Sequence, residues 1–168
     1  MSTRDGTAPH QRTYSFHDPF TQIPTLLDMD GLQLMRGLRE GSLSAAPLES
    51  TLDYRVVEVD RGSVTIGVQP REWHGTHSGN VHGGLIASVA DAVCGYAVQT
   101  HLPAGSYAVT AELSVSFLCP VSPGQQVLRC VGSAPAPEQE RSRATAELLD
   151  PEGKVLAKAT ATVRVLSV

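Results

Sequence analysis

From His82 to Thr100 the chain is one long apolar run with a single charged residue, Asp91, inside it. A helix that is apolar nearly all round has no face to give to water, so something must surround it. Lipid is one such surrounding. This run, however, contains Gly83, Gly84, Ser88, Asp91 and Gly95, and it suits a helix buried in protein better than one crossing a membrane. The rest of the chain must therefore supply a wrapper.

The flanking segments read as that wrapper. Tyr54 to Val59 and Ser63 to Gln69 are rich in strand-forming residues, with Asp60-Arg61-Gly62 as the turn between them. After the helix, closed near Pro103 and Gly105, four more strands are expected: Tyr107 to Leu118, Gln126 to Ala134, Arg141 to Leu149 and Val155 to Leu166. Pro- and Gly-rich turns at Pro120 to Gly124, Ala134 to Pro137 and Asp150 to Gly153 separate them. Two strands, a long helix and a further antiparallel meander make an α+β protein, one curved sheet around a buried helix.

Upstream, Met1 to about Thr13 is polar and reads as disordered. Leu26, Leu27, Met29, Leu32, Leu34, Met35 and Leu38 recur at roughly helical spacing. Pro24 to Glu40 is therefore expected to form one or two short amphipathic helices, stopped at Gly41. Gly41 to Ser50 reads as a connector of small residues. The chain thus divides into an N-terminal extension, 1–50, and one domain, 51–168.

Composition excludes several classes of partner. Thirteen Lys and Arg against seventeen Asp and Glu give a net charge of −4, with no basic run to hold nucleic acid. No segment is long and apolar enough to anchor the chain in a membrane. The N-terminus has no signal-peptide core, which points to the cytoplasm. Three irregularly spaced cysteines, Cys94, Cys119 and Cys130, read as reduced thiols rather than a disulfide framework. His74, His77 and His82 match no tight zinc spacing, so neither a metal nor another cofactor is expected.

The chemistry concentrates at the start of the helix. Two glycines just inside a helix N-terminus leave backbone N–H groups that a ligand can approach closely. A lone acid on an apolar helix is costly unless it has a partner or a task. Gly83 and Asp91 are eight residues apart, about 12 Å along a helix at roughly 1.5 Å per residue. One carbonyl group cannot touch both. If both act on one substrate they come from different chains, and the smallest active unit is a homodimer, alone or paired into a tetramer. Cys94 reads as a small core residue, because it has no evident His partner to activate it.

The segment Gly79-Asn-Val-His82-Gly83-Gly84, followed by Ala90-Asp91, resembles the hotdog-fold thioesterases, specifically the phenylacetate-type (PaaI-like) acyl-CoA thioesterases. The likeness extends over Glu112 to Pro120 and over Leu149 to Thr162, and covers roughly Leu48 to Leu166. It implies a hydrolase that splits an acyl-CoA into free acid and CoA. It also implies roles: the Gly83 N–H as oxyanion donor, Asp91 as nucleophile or general base, and Thr110, with Ser114 as an alternative, positioning water. His82 would orient the turn or contact substrate, with Asn80, Gly84, Thr76 and His77 as substrate-binding candidates. Two positions depart from the family pattern. Thr76 stands where an Asn is usual, and Cys119 where an Arg commonly precedes the strand-ending Pro. Two other functions compete: a non-catalytic acyl-CoA binding module, which would not need Asp91, and a hotdog hydratase, whose catalytic His sits in a differently spaced motif.

Overall fold

The structure, a computed structural model, describes residues 9–124 and 126–168. Its centre is helix α4, Gly83–Gln99. A six-stranded antiparallel sheet curves around it: β1 (Tyr54–Asp60), β2 (Ser63–Val68), β3 (Ser106–Phe117), β4 (Leu128–Ser133), β5 (Arg141–Leu149) and β6 (Val155–Ser167). The core lies between them. Val89, Val93, Cys94, Ala97 and Val98 of α4 are buried against Ile66, Cys130, Ala144, Ala161 and Val163 of the strands. Among the described residues, no helix is long and apolar enough to cross a membrane.

The strand order is β1-β2-β4-β5-β6-β3, which corrects the expected meander. β1 and β2 form one hairpin, and after the helix only β4, β5 and β6 follow one another as sheet neighbours. β3 leaves the end of α4, runs to the far edge and pairs with β6 alone. The reason is the helix between β2 and β3. It fills the concave face, so the chain that leaves it emerges on the opposite side. β4 is then free to close against β2, pairing Ser63 with Ser133 through Val68 with Leu128.

β3 runs alongside α4 for the helix's whole length. Near its start the backbone N–H of Ala108 donates to Gln99 Oε1 at 2.9 Å. At its far end the Phe117 ring lies over Gly83. A β-bulge falls between Thr110 and Glu112, so the inward-facing alternation stops just after Thr110. Beyond it, side chains such as Leu113 and Phe117 are exposed.

The extension is helical as its periodicity predicts. It contains a 3-10 turn at Pro19–Gln22, then α1 (Ile23–Leu27) and α2 (Gly31–Glu40). Asp30 and Gln33 form a capping box at the start of α2, and Gly41 ends it at φ 75°. Gly31 sits directly on the end of α4, its N–H donating to Leu102 O at 2.9 Å. Two expectations need correcting. Pro47–Leu52, within the expected connector, folds as a short helix, α3, with Pro47 in its first turn. Arg12, within the tract that reads as disordered, donates to Thr51 O and Ser50 O and stacks 4.6 Å from the Trp73 ring. Residues 1–8 lie outside the described residues.

The spacing between sheet and helix depends on Gly132 of β4. A Cβ there would lie 2.5 Å from the Val93 carbonyl oxygen, and neither backbone can move without disturbing its own hydrogen bonds. Gly132→Ala should cost about 1–3 kcal/mol, as overpacking usually does. Urea denaturation measures it; an unchanged midpoint would show that the spacing does not depend on this glycine.

Candidate active site

Helix α4 starts at His82, which caps it in an unusual way. The imidazole Nδ1 accepts the Gly84 N–H at 2.8 Å, the service that Ser, Thr, Asn or Asp normally performs. The Gly84 amide is therefore occupied. That of Gly83 has no acceptor among the described residues. Of the two glycine amides at the turn, only that of Gly83 is left unused among the described residues, at the positive end of the helix dipole.

The loop before it is tightly braced. Thr76 N–H donates to Asn80 O at 2.7 Å, Gly79 N–H donates to Thr76 O at 3.0 Å, and Thr76 Oγ1 donates to Asn80 O at 3.1 Å. Thr76 Oγ1 also meets Ser78 Oγ at 2.8 Å. The Thr76 hydroxyl is thus engaged within its own loop, and His77 is exposed. His74 is buried and its Nδ1 accepts the Arg71 N–H at 3.0 Å. Burial first, then the Arg12 charge, pushes its pKa down. No three His, Cys, Asp or Glu side chains among the described residues converge as metal ligands.

Asp91 lies two helical turns further on. It is not on the buried side of α4. Gly84, Ala87, Ser88, Asp91, Ala92 and Gly95, three and four residues apart, form the stripe that the sheet leaves half-buried or exposed. Asp91 has no hydrogen bond or ion pair among the described residues. An acid kept only for structure would be expected to have N–H partners. Its carboxylate borders a cavity of about 860 Å³, together with Thr110 of β3 and apolar residues of α1 and α2.

Two residues that sequence reasoning passed over shape this cavity's electrostatics. The Tyr96 hydroxyl donates a very short hydrogen bond to Glu49 Oε1, and Glu49, on α3, is buried. Burial holds the Glu49 carboxyl above the ordinary carboxylate value, partly offset by the Tyr96 hydrogen bond. Burial, then the charges of Glu49 and Asp91, pushes the Tyr54 hydroxyl up. Burial followed by the Glu49 charge does the same for Tyr96. The Cys94 thiol is pushed up to about 12 by burial and by Asp91, so at neutral pH it is a core thiol rather than a nucleophile. Glu49 was hidden because its segment reads as a connector. Tyr96, five residues after Asp91 on the same helix, was the available signal.

The candidate residues thus fall into two groups. Thr76, Asn80, His82, Gly83 and Gly84 gather at the N-terminus of α4. Asp91 and Thr110 line one cavity at its middle, with the length of two turns between. Ser114 lies beyond the bulge and is exposed. Two basic strand residues are paired, Arg129 with Glu58 at 2.5 Å and Lys158 with Glu147 at 2.7 Å.

Residues 78–148 match the model of the thioesterase superfamily. That span opens in the loop ahead of α4, ends in β5, and includes His82, Gly83, Asp91 and Thr110. Among solved structures, the chain is similar to the Escherichia coli PaaI protein of the phenylacetic acid degradation operon. The identity is 17%, covering 84% of this chain and 96% of that one, with a TM-score of 0.70. A putative thioesterase, a phenylacetic acid degradation-related protein from Ralstonia eutropha JMP134, is 26% identical, with 77% and 98% covered and a TM-score of 0.70. A Streptococcus mutans UA159 protein bound to acetyl CoA is 21% identical, with 68% and 89% covered and a TM-score of 0.61. No curated protein sequence matches.

The buried Glu49 makes stability depend on pH in a defined direction. With its folded-state value raised above 4.5, the unfolded chain loses this proton first as pH rises. The contribution is complete below about 4.5 and is lost as pH climbs through the raised value. Glu49→Gln keeps an oxygen to accept the Tyr96 hydroxyl but cannot ionise. Its urea midpoint should fall less than that of the wild type between pH ~4.5 and neutrality. Parallel curves for the two proteins would mean that Glu49 does not titrate differently on folding.

Proposed function

We infer that this chain, a hotdog-fold thioesterase of the PaaI-like type, hydrolyses an acyl-CoA thioester to the free acid and CoA. The observation that carries the reading is a pair of unused groups on one helix. Among the described residues, they are a carboxylate without a hydrogen-bond or ion-pair partner, Asp91, and an N–H without an acceptor, Gly83. Hydrolysis needs both kinds of group. Attack on the thioester carbonyl builds negative charge on its oxygen, and a pre-aimed backbone N–H stabilises that charge. His82 keeps Gly84 occupied and the turn rigid, so the Gly83 N–H is held ready before substrate arrives.

Asp91 acts in one of two ways. As a general base it takes a proton from water while that water's oxygen bonds to the carbonyl carbon. As a nucleophile its own oxygen bonds to that carbon, giving an anhydride that water then opens. In both routes the C–S bond breaks and the sulfur leaves with a proton as the CoA thiol. Thr110, on the same cavity, has a hydroxyl suited to holding the water.

Both groups reach one carbonyl only if they belong to different subunits. α4 runs unbroken from Gly83 to Gln99, which keeps Gly83 and Asp91 about 12 Å apart within a chain. Two features favour a homodimer. The small residues of α4 ahead of Asp91 are left open by the chain's own sheet, and β3 is an edge strand whose Leu113 and Phe117 are exposed. Each dimer then holds two sites, with Gly83 and its braced loop from one subunit facing Asp91 and Thr110 of the other. The three cysteines, all free, suit a reducing compartment such as the cytoplasm.

Thiol release from a panel of acyl-CoAs tests the reaction. Asp91→Asn should lower kcat by roughly 10²–10⁴, the usual range for a lost proton-transfer group, with an unchanged circular dichroism spectrum. Near-normal turnover by this variant would remove Asp91 from both routes.

Complementation tests the shared site. Asp91→Ala chains and Gly83→Val chains should each be inactive alone. After subunit exchange, one site of each mixed dimer carries both lesions and the other carries neither. Activity should return to a substantial fraction of wild type. No recovery, with exchange verified by mass, would show that one chain supplies the whole site.

A further inference from the structure

Gly95 is misplaced on packing grounds. Glycine is among the least favourable residues for a helix interior, and α4 continues beyond it to Gln99. A glycine in such a place usually allows another backbone to come close, as Gly31 and Gly132 do here. At Gly95 an added Cβ would meet nothing within 4 Å. What its missing side chain leaves is empty space, one turn beyond Asp91 on the same stripe and lining the same cavity.

That cavity has a definite chemistry. Its far wall is contributed by the extension: Ile23, Leu26 and Leu27 of α1, and Leu34 and Met35 of α2. Those helices are fixed on α4 by Gly31, whose added Cβ would overlap Gln99 O, and by the Gly105 N–H, which donates to Leu27 O at 2.9 Å. Val109 and Tyr107 of β3 complete the wall, and the Tyr96 ring lies beside Gly95 with its hydroxyl turned away to Glu49. Among the described residues, Asp91 is the charged side chain lining the cavity, and no basic side chain lines it. At about 860 Å³ this open cleft has room for a drug-sized ligand, far more than an acetyl group fills.

We propose that Gly95 and the facing side chains Leu26, Leu27, Leu34 and Met35 form an acyl channel leading away from Asp91. Its length selects the substrate, a CoA thioester of a long, uncharged, apolar acyl group. The proposal rests on the thioesterase reading and assigns that reading its substrate class. The N-terminal extension becomes a specificity element. The acyl chain runs from the carbonyl at Asp91, past the gap at Gly95, and ends against α1 and α2. A dicarboxylic acyl group is excluded, because its second carboxylate would be desolvated with no cation to meet it.

Straight-chain acyl-CoAs from acetyl to palmitoyl, together with succinyl-CoA, test this by kcat/KM. Each added methylene in a fitting apolar pocket is worth roughly tenfold or more at the favourable limit. Wild type should therefore favour dodecanoyl over acetyl by at least about a hundredfold and leave succinyl-CoA nearly untouched. Gly95→Leu should place a side chain in the channel without a clash. The dodecanoyl-to-butyryl ratio should fall by roughly tenfold or more, while the dimer and Tm persist. Leu26→Ala with Leu27→Ala should move the optimum towards longer chains. An acetyl preference in wild type, or an unchanged chain-length profile in both variants, overturns the proposal. Dimer dissociation by Gly95→Leu does so as well, because it would mark the gap as a subunit contact. Binding of S-butyl-CoA and S-dodecyl-CoA, thioethers with no carbonyl to attack, is measured by calorimetry in parallel. If wild type hydrolyses no thioester but binds the dodecyl ether more tightly, and Gly95→Leu abolishes that preference, the hydrolytic reading fails and the channel stands. Equal binding of the two ethers by wild type sinks the channel.

Discussion

The packing of α4 against the concave face of the sheet is the interaction on which the other features depend. The helix brings a nearly continuous apolar surface, and the strands enclose most of it with Ile66, Cys130, Ala144, Ala161 and Val163. Burial of that area is the main stabilising term for a domain of this size. The enclosure is incomplete. Where the sheet ends, the helix shows small residues, Tyr96 and one acid, and the core leaves these positions at least partly uncovered.

On the proposed reading, Gly83 and Asp91 are catalytic groups on one rigid helix, and this has a consequence for assembly. Their separation is fixed by helix geometry, so no side-chain movement brings them together within a chain. Only a second helix can present the complementary half. A site divided in this way gains precision, because both groups stand on regular structure rather than on mobile loops. On the same reading, activity depends on association, since a lone subunit would hold every functional group but no complete site.

The extension is more than an appendage. α1 and α2 lean on the C-terminal end of α4 through Gly31, while Arg12 ties the chain ahead of them to α3 and to Trp73. α3 in turn carries Glu49, whose buried carboxyl fixes Tyr96. One continuous segment thus forms a wall of the cavity at Asp91 and, through Glu49, holds the Tyr96 that lines it. Its contribution is non-local, which is why its helical periodicity could be seen in the sequence while its destination could not.

The sequence by itself determined the elements and the chemistry of the turn. The limits of α4, the stop at Gly41 and the β5 strand at Arg141–Leu149 follow from local signals: apolar period, a left-handed glycine, and turns of Pro and Gly. The His-Gly-Gly turn and Asp91 stood out because glycine and an isolated acid are costly in an apolar helix and need a reason to be there. Tertiary structure alone decided where β3 runs, because strand order depends on which face the helix occupies and not on the strand's own residues. It also decided that Thr110 joins Asp91, that Ser114 does not, and that Glu49 reaches Tyr96 across 47 residues. Asp91 itself shows the division most clearly. Its sequence surroundings implied burial, yet the fold leaves it on the open stripe of α4, because a curved sheet covers only part of a helix's circumference and sequence periodicity does not say which part.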